Sequence, residues 1–385
     1  MASITAVSAI PARFRQPETY LGSHDVPEGE HPYFLRPHLR TVYSRYFETT
    51  FVRIESDAGT VGWGECLAPV APRVSAAIVE DLFAHTLIGL DPCATGAIRA
   101  RLYDMMRDRG YTGGFYVDAM AAVDIALWDL KGKLLGTTVA SLLGGPHRPA
   151  VPAYVSAIGG VTDDEKAGLV GTWRERGFEH FKHHAGRGVS SDVATMRSIR
   201  SVAADDAVVG CDAHWAYSPG EAGQLGERLQ ELGVSFLEAP MDPEDVAAHA
   251  VLARQLTVPL AVGEGLRTRF EYRPWLEAGA AGILQPDVGR TGISEAVAVA
   301  AMAEPFSVRV APHLSVGLGP MVAAAIHVAA GIPNLLLVEY QPPTIALANS
   351  LLGDEMEIIG GEYVIPTRPG LGIELSEKAI RDRQA

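Results

Sequence analysis

A chain of 385 residues, 48% of them hydrophobic and 20% charged, has the composition of a soluble globular protein and the length of a barrel plus a smaller unit. The net charge of −14 argues against a nucleic-acid partner, which needs a basic face, but leaves an anionic substrate open wherever a divalent ion reverses the local sign. Three cysteines without paired spacing, no basic-then-apolar leader, and an Ala/Val-rich stretch at 296–303 cut by Glu304 and Pro305 read as a reduced, cytoplasmic protein that does not enter a membrane.

Along the first 65 residues, SITAVSAI and ETTFVRIES alternate apolar and polar side chains, and Asp57-Ala58-Gly59 turns into VGWGEC, so a β-meander with a terminal hairpin is expected. Residues 15–40 are rich in Pro, Gly, His and charge, and a loop that long in a compact domain is usually a lid or a binding loop. From about 73 to 143 the apolar spacing turns helical; the last helix, AMAAVDIALWDLKGKLLG, should stop at Gly136. HRPAVPAY at 147–154 marks a boundary, giving an α+β capping unit over 1–145 and a second unit over 146–349. In the second, eight strand candidates (VPAYVS, HFKHH, AVVGCD, SFLE, PLAVGE, GILQPD, SVRVAPH, LLLVE) alternate with amphipathic stretches such as DVATMRSIRSVAA, the pattern of a (β/α) barrel. A doubly wound open sheet lacks the glycine fingerprint that would favour it. The tail from about 350 to 385 returns to short strands and should complete the capping unit rather than extend the barrel.

Nearly every barrel strand closes on an ionisable residue: Lys182 with His184, then Asp212, Glu238, Glu264, Asp287, His313 and Glu339. An interval of 26 residues separates Asp212 from Glu238, Glu238 from Glu264, Asp287 from His313 and His313 from Glu339. One such interval is a strand, loop and helix, so these residues share a height at the C-terminal rim, where barrel active sites sit. A lone carboxylate at a strand end means little. Three in register repel one another unless a cation neutralises them, and an all-oxygen set made of Asp212, Glu238 and Glu264 favours Mg²⁺ or Mn²⁺ over zinc.

Alternation turns Lys182 and His184 inward and His183 outward. Across the barrel, Asp287 beside His313 fixes the imidazole tautomer and raises its basicity. Bases on two sides of a metal suit removal of a proton α to a carboxylate, the chemistry of a Lys or His base working with Mg²⁺. His214, two residues beyond Asp212, points to the same side as that ligand. His24, His31 and His38 lie in the long N-terminal loop, where one contacting substrate is an open reading. His180 belongs at the far end of its strand, His85, His147, His249 and His327 read as structural, and Arg290 as an anion contact or helix cap.

The helix from Ala119 to Lys133, Leu142-Leu143-Gly144 behind it, and the rim residues resemble the mandelate racemase/muconate lactonizing enzyme family of the enolase superfamily over essentially the whole chain. One departure is Thr138, where the family usually has proline. The resemblance implies a modified (β/α)₇β TIM-like barrel, α/β in class, under an α+β capping domain, with Mg²⁺ on Asp212, Glu238 and Glu264. It places Lys182 on the first lysine of the family's Lys-x-Lys motif, with His184 replacing the second. Asp287 and His313 fall on its Asp-His dyad, and Glu339 on its acidic residue after the eighth strand. His214 resembles the histidine of Asp-x-His in sugar-acid dehydratases, which protonates a departing hydroxyl. Symmetric homo-oligomers are common in the family. The implied activity is dehydration of a sugar acid to a 2-keto-3-deoxy acid. Cycloisomerisation of a sugar-acid lactone and racemisation or epimerisation are the alternatives, and a non-catalytic metal-binding relative is a further one.

Overall fold

The computed structural model describes residues 2–16, 26–36, 40–156, 158–353 and 355–385. Its first part is built on strands β1 (Ile4–Arg15), β2 (Tyr33–Leu35), β3 (Val42–Ser44), β4 (Tyr46–Ser56) and β5 (Val61–Cys66). β1, β4 and β5 form an antiparallel sheet in that order, while β2 and β3 pair only with each other. The β2–β3 hairpin lies within and just beyond the loop expected at 15–40; strands of three residues are too short to announce themselves by alternation. Tyr33 anchors this hairpin. Its hydroxyl donates to Glu48 Oε2 at 3.0 Å and accepts from the Ala71 N–H at 2.9 Å.

Helices α1 (Pro72–Ile78), α2 (Ala84–Leu87), α3 (Thr95–Arg107), α4 (Gly114–Leu135) and α5 (Val139–Leu142) follow, with a π-helical turn over Val79–Phe83. α4 stops at Gly136, whose left-handed φ of 65° suits a residue without a Cβ. Most of α4 is buried, as a helix apolar on nearly every side must be. It lies against β5 so closely that a Cβ on Gly64 would meet the Ala122 carbonyl at 1.9 Å. The Gly-Trp-Gly spacing of β5 is therefore a packing requirement. Thr138, the departure from proline, caps α5 by accepting from the Ser141 N–H at 3.1 Å.

Eight parallel strands then alternate with helices: β6 (Ala150–Val155), α6 (Asp163–Glu175), β7 (His180–His184), α7 (Val189–Val202), β8 (Val209–Asp212), α8 (Pro219–Glu231), β9 (Phe236–Glu238), α9 (Val246–Gln255), β10 (Leu260–Val262), α10 (Arg269–Glu277), β11 (Ile283–Leu284), α11 (Val288–Ala303), β12 (Arg309–Val310), α12 (Pro320–Gly331) and β13 (Val338–Tyr340), with α13 (Pro342–Leu351) after the last. Pairing runs in sequence order from β6 to β12. The barrel closes because β13 pairs with β6, and the Leu336 N–H donates to the Val310 carbonyl at 2.7 Å on the other side. Phe236, Ala261, Ile283 and Ala311 fill part of its interior. Among the described residues no helix is long and apolar enough to cross a membrane.

The tail contains β14 (Ile358–Ile359), β15 (Glu362–Val364) and α14 (Glu377–Arg383). β15 adds antiparallel to the start of β6, so this part of the tail joins the barrel sheet, where the whole tail was expected to complete the capping unit. Beyond it, the Leu371 N–H donates to Asp129 of α4 at 2.8 Å, and Ala385 donates to the Arg13 carbonyl of β1 at 2.9 Å. β5 meets the barrel through Glu65. Its buried carboxylate accepts from the Leu318 and Met321 N–H groups at 2.8 and 3.1 Å, satisfying free donors at the start of α12.

Candidate active site

β8, β9 and β10 end within a residue or two of Asp212, Glu238 and Glu264, so consecutive strands deliver one carboxylate each to the same rim. One oxygen from each lies within 4.8 Å of the others. Asp212 and Glu238 are fully buried. Burial and the neighbouring carboxylates, Asp212 first, push the Glu238 carboxyl up from its usual range. Its Oε2 accepts from Gln285 Nε2 at 2.6 Å, which fixes the group's orientation. With Asp287 and Glu339 the rim holds five carboxylates against one lysine, an imbalance that a divalent cation on the trio would correct.

Lys182, turned inward by the alternation of β7, is that lysine. Its ammonium lies 2.8 Å from Glu238 Oε1, 3.2 Å from Glu339 Oε1 and 3.7 Å from Asp212 Oδ2, and sits over the Tyr154 ring at 5.5 Å. Burial disfavours its charge, but Glu238 and Glu339 outweigh that and hold its pKa well above the ordinary lysine value. So engaged, the ammonium is the positive charge at the centre of this carboxylate cluster.

On the opposite side, three residues past β11 and β12 respectively, Asp287 and His313 meet. The distance from His313 Nδ1 to Asp287 Oδ2 is 2.6 Å, and Asp287 Oδ1 accepts from the Gly289 N–H at 2.8 Å. His313 Nε2 faces Glu264 at 3.4 Å and Glu339 at 3.8 Å. Burial works against charge on this ring, yet Glu339, the Asp287 hydrogen bond and Glu264 together lift it to about 10. Glu339 is itself buried, but Lys182 and His313 bring its carboxyl down to about 2.

His184 and His214 stand side by side, ring centroids 5.5 Å apart. They differ in charge preference. Burial lowers His184 to about 3, only partly opposed by Asp212; His214 rises to about 9 because Asp212 overcomes the burial penalty. The backbone makes this possible: left-handed φ values of 52° at His214 and 59° at Trp215 fold the loop back, and the His214 N–H donates to Asp212 Oδ1 at 3.0 Å. Tyr43 of the β2–β3 hairpin reaches this ring, its hydroxyl 3.1 Å from His214 Nε2. Arg40 ties the same segment to the barrel by donating to Asp242 at 2.6 Å and to the Trp215 carbonyl at 3.2 Å. Tyr43, His184, Asp212, His214, Glu264 and His313 line a cleft of about 150 Å³ that also takes in Tyr46, Leu67 and Ser315.

All nine rim residues singled out in the sequence therefore converge on one place. Arg290 lies at the cleft but pairs with Asp118 of α4 at 3.6 Å. His183 is buried on the far side of β7, and His180 accepts from the Val208 N–H at the other end of the barrel. His31 accepts from the Tyr33 N–H at 3.1 Å, while His24 and His38 lie outside the described residues. Tyr43, Ser156 and Gln285 are the site residues that sequence reasoning missed. Ser156 Oγ is 3.1 Å from His184 Nε2. Gln285 follows β11 directly and was legible by the same strand-end rule; Tyr43 carried no signal beyond its place after a loop of lid length.

Residues 34–144 match the model of the mandelate racemase / muconate lactonizing enzyme N-terminal domain, and residues 166–379 that of the enolase C-terminal domain-like family. A D-galactarolactone cycloisomerase of Agrobacterium fabrum is 36% identical over 346 residues, covering 86% of this chain and 90% of the relative. A D-galactonate dehydratase of Cronobacter sakazakii is 35% identical over 353 residues, covering 86% of this chain and 89% of the relative. Among solved structures, an enolase superfamily member from Agrobacterium tumefaciens superimposes with a TM-score of 0.94 at 36% identity, covering 99% of each chain.

Proposed function

The chain belongs to the mandelate racemase/muconate lactonizing enzyme family of the enolase superfamily, and from that premise we propose that it is a Mg²⁺-dependent dehydratase of a sugar acid. The observation that carries this reading is a hydrogen-bonded acid and base facing one cleft: the Asp212–His214–Tyr43 group on one side and the Asp287–His313 pair on the other. Asp212, Glu238 and Glu264 fit Mg²⁺ as an all-oxygen set; held there, it would supply positive charge for the substrate carboxylate and weaken the negative potential at His313 Nε2.

His313 removes the α-proton through Nε2, with Asp287 orienting the ring and stabilising the charge it gains. Lys182 lies beside Glu339, where its fixed charge offsets electron density arriving on the substrate carboxylate. His214, which favours its protonated form beside Asp212, donates a proton to the departing β-hydroxyl, and Tyr43 holds its ring at the correct angle. The enol left behind tautomerises to a 2-keto-3-deoxy acid.

A second reading, cycloisomerisation of a sugar-acid lactone, is supported by the 36%-identical cycloisomerase and needs the same proton removal with a ring oxygen leaving in place of a hydroxyl. The test is a panel of aldonates, aldarates and their lactones incubated with the enzyme and Mg²⁺. Loss of water from an open-chain aldonate or aldarate to give a 2-keto acid supports dehydration; opening of a lactone to a 2-keto acid of unchanged mass transfers the assignment to cycloisomerisation, and α-hydrogen exchange with inversion alone to epimerisation. The free cysteines Cys66, Cys93 and Cys211 support a reducing, cytoplasmic setting, and a homo-oligomer is expected from family habit.

A further inference from the structure

The carboxylate trio leaves two imidazoles beside it without a metal-binding role. His184 Nε2 and His214 Nδ1 lie 3.7 and 3.5 Å from the same oxygen, Asp212 Oδ2. One ligand atom from each of these three side chains lies within 4.8 Å of the others. Donors spaced about 3.4 Å apart surround an ion at ordinary zinc–nitrogen distances, so each histidine nitrogen needs to draw only a few tenths of an ångström nearer Asp212, while the two nitrogens close on each other from within 4.8 Å. The two histidine side chains are 18% and 19% exposed, both into the cleft, so an ion has access to them.

We propose that His184, Asp212 and His214 form a second divalent-cation site, sharing Asp212 with the trio and taking a borderline-soft transition ion such as Zn²⁺ or Co²⁺. The donor chemistry separates the two sites. Two imidazoles and one carboxylate suit Zn²⁺, Co²⁺ or Ni²⁺, whereas Mg²⁺ prefers oxygen alone. Outer contacts fit as well. Tyr43, on His214 Nε2, occupies that nitrogen and leaves Nδ1 toward Asp212, as partners of metal-bound histidines do. Ser156 Oγ, on His184 Nε2, is the group an ion would displace. An ion held on His214 Nδ1 displaces the proton from that nitrogen and leaves the ring unable to serve as a cationic acid, so the site is inhibitory and makes the enzyme responsive to transition metals.

The assignment rests on reading Asp212, Glu238 and Glu264 as the Mg²⁺ site, and the experiment separates the two claims. The enzyme, saturated with Mg²⁺, is dialysed against Co²⁺; both metals are then measured by elemental analysis and bound Co²⁺ by its visible absorption. The expected result is an equivalent of Co²⁺ that Mg²⁺ does not displace. It should be lost in His184→Ala and in His214→Ala, which still bind Mg²⁺ and so report an intact fold, and kept in Glu264→Gln, which loses Mg²⁺. Displacement of all Co²⁺ by Mg²⁺, or retention of the extra equivalent in both histidine variants, overturns the second site. Failure of the wild-type enzyme to bind Mg²⁺ at all sinks the trio reading instead.

Discussion

Replacing Lys182 with methionine tests whether the lysine is a base or a buried counter-charge. The side chain keeps its length, but Glu238, Glu339 and Asp212 lose an ammonium that stands 2.8, 3.2 and 3.7 Å away. Removing one partner of a buried ion pair costs about 3–5 kcal/mol, and this lysine serves three buried partners. Part of that cost is relieved by proton uptake. Without Lys182 the Glu339 carboxyl, held at about 2, must rise, because burial alone favours its neutral form. A carboxyl whose folded pKa is raised above the unfolded value destabilises the fold at high pH and ceases to do so as pH falls through the folded pKa. The deficit should therefore be largest near pH 8 and shrink toward pH 5.5.

Urea unfolding of wild type and variant, in EDTA and in saturating Mg²⁺, measures this. In EDTA at pH 8 the variant should be less stable by about 3 kcal/mol or more. Mg²⁺ should narrow the gap, since binding at a hundredfold excess over Kd adds roughly 2.7 kcal/mol to any folded state that holds it, and more where the metal also replaces a missing charge. Equal stability of the two proteins in EDTA, or a deficit indifferent to both Mg²⁺ and pH, would show that Lys182 does not hold the cluster together.

His313→Asn should lower exchange of the substrate α-hydrogen with solvent deuterium by about 10²–10⁴-fold while Mg²⁺ binding by calorimetry stays intact; full exchange in the variant would move the base elsewhere. Tyr43→Phe removes one hydrogen bond to His214, worth about 1 kcal/mol, so kcat should drop roughly fivefold with KM less affected. The fold carries its own pH prediction at His327, fully buried, accepting from the Ala140 N–H and facing the Leu371 carbonyl at 3.1 Å. Burial lowers its pKa to about 4, below the unfolded value of about 6.5, so its contribution is complete above pH 6.5 and lost as pH falls toward 4, to a limit of roughly 3 kcal/mol. His327→Gln should flatten that part of the stability profile in urea titrations at pH 5 and 7.5; an unchanged slope would assign it to other groups.

The barrel was legible because nearly every one of its strands is an apolar run that stops at a charge, and because the interval of 26 residues repeats the strand–helix unit. Those same stops supplied eight of the nine rim residues, His214 excepted, since a side chain at a fixed height on a parallel strand is placed by the backbone alone. What stayed hidden depends on three-dimensional folding-back. Tyr43 is 171 residues from His214 and meets it only because Tyr33 and Arg40 pin the β2–β3 hairpin to the sheet and to the barrel. Pairing of β15 with β6 is equally non-local, and its three residues have no periodicity of their own. The left-handed backbone at His214 and Trp215 had no sequence marker either, since the residues adopting it are not glycine.

The exchange of the family's second lysine for His184 follows from the same contacts. A second ammonium two residues after Lys182 would bring another strong cation to Asp212, whose Oδ2 already has Lys182 at 3.7 Å and His214 Nδ1 at 3.5 Å. His184 fills that place with a ring that burial keeps neutral, 3.1 Å from the Ser156 hydroxyl, and so leaves the Asp212 charge to His214. The consequence is an asymmetric rim: neutral imidazole at His184, cationic imidazole at His214, and the carboxylate-backed His313 opposite. Two-way racemisation calls for bases that exchange roles across the substrate, whereas removal of a proton at one carbon and delivery of another to an adjacent oxygen uses this asymmetry directly. On the proposed reading this asymmetry serves elimination, and His214, rather than Lys182, is the residue whose loss should separate proton exchange from product formation.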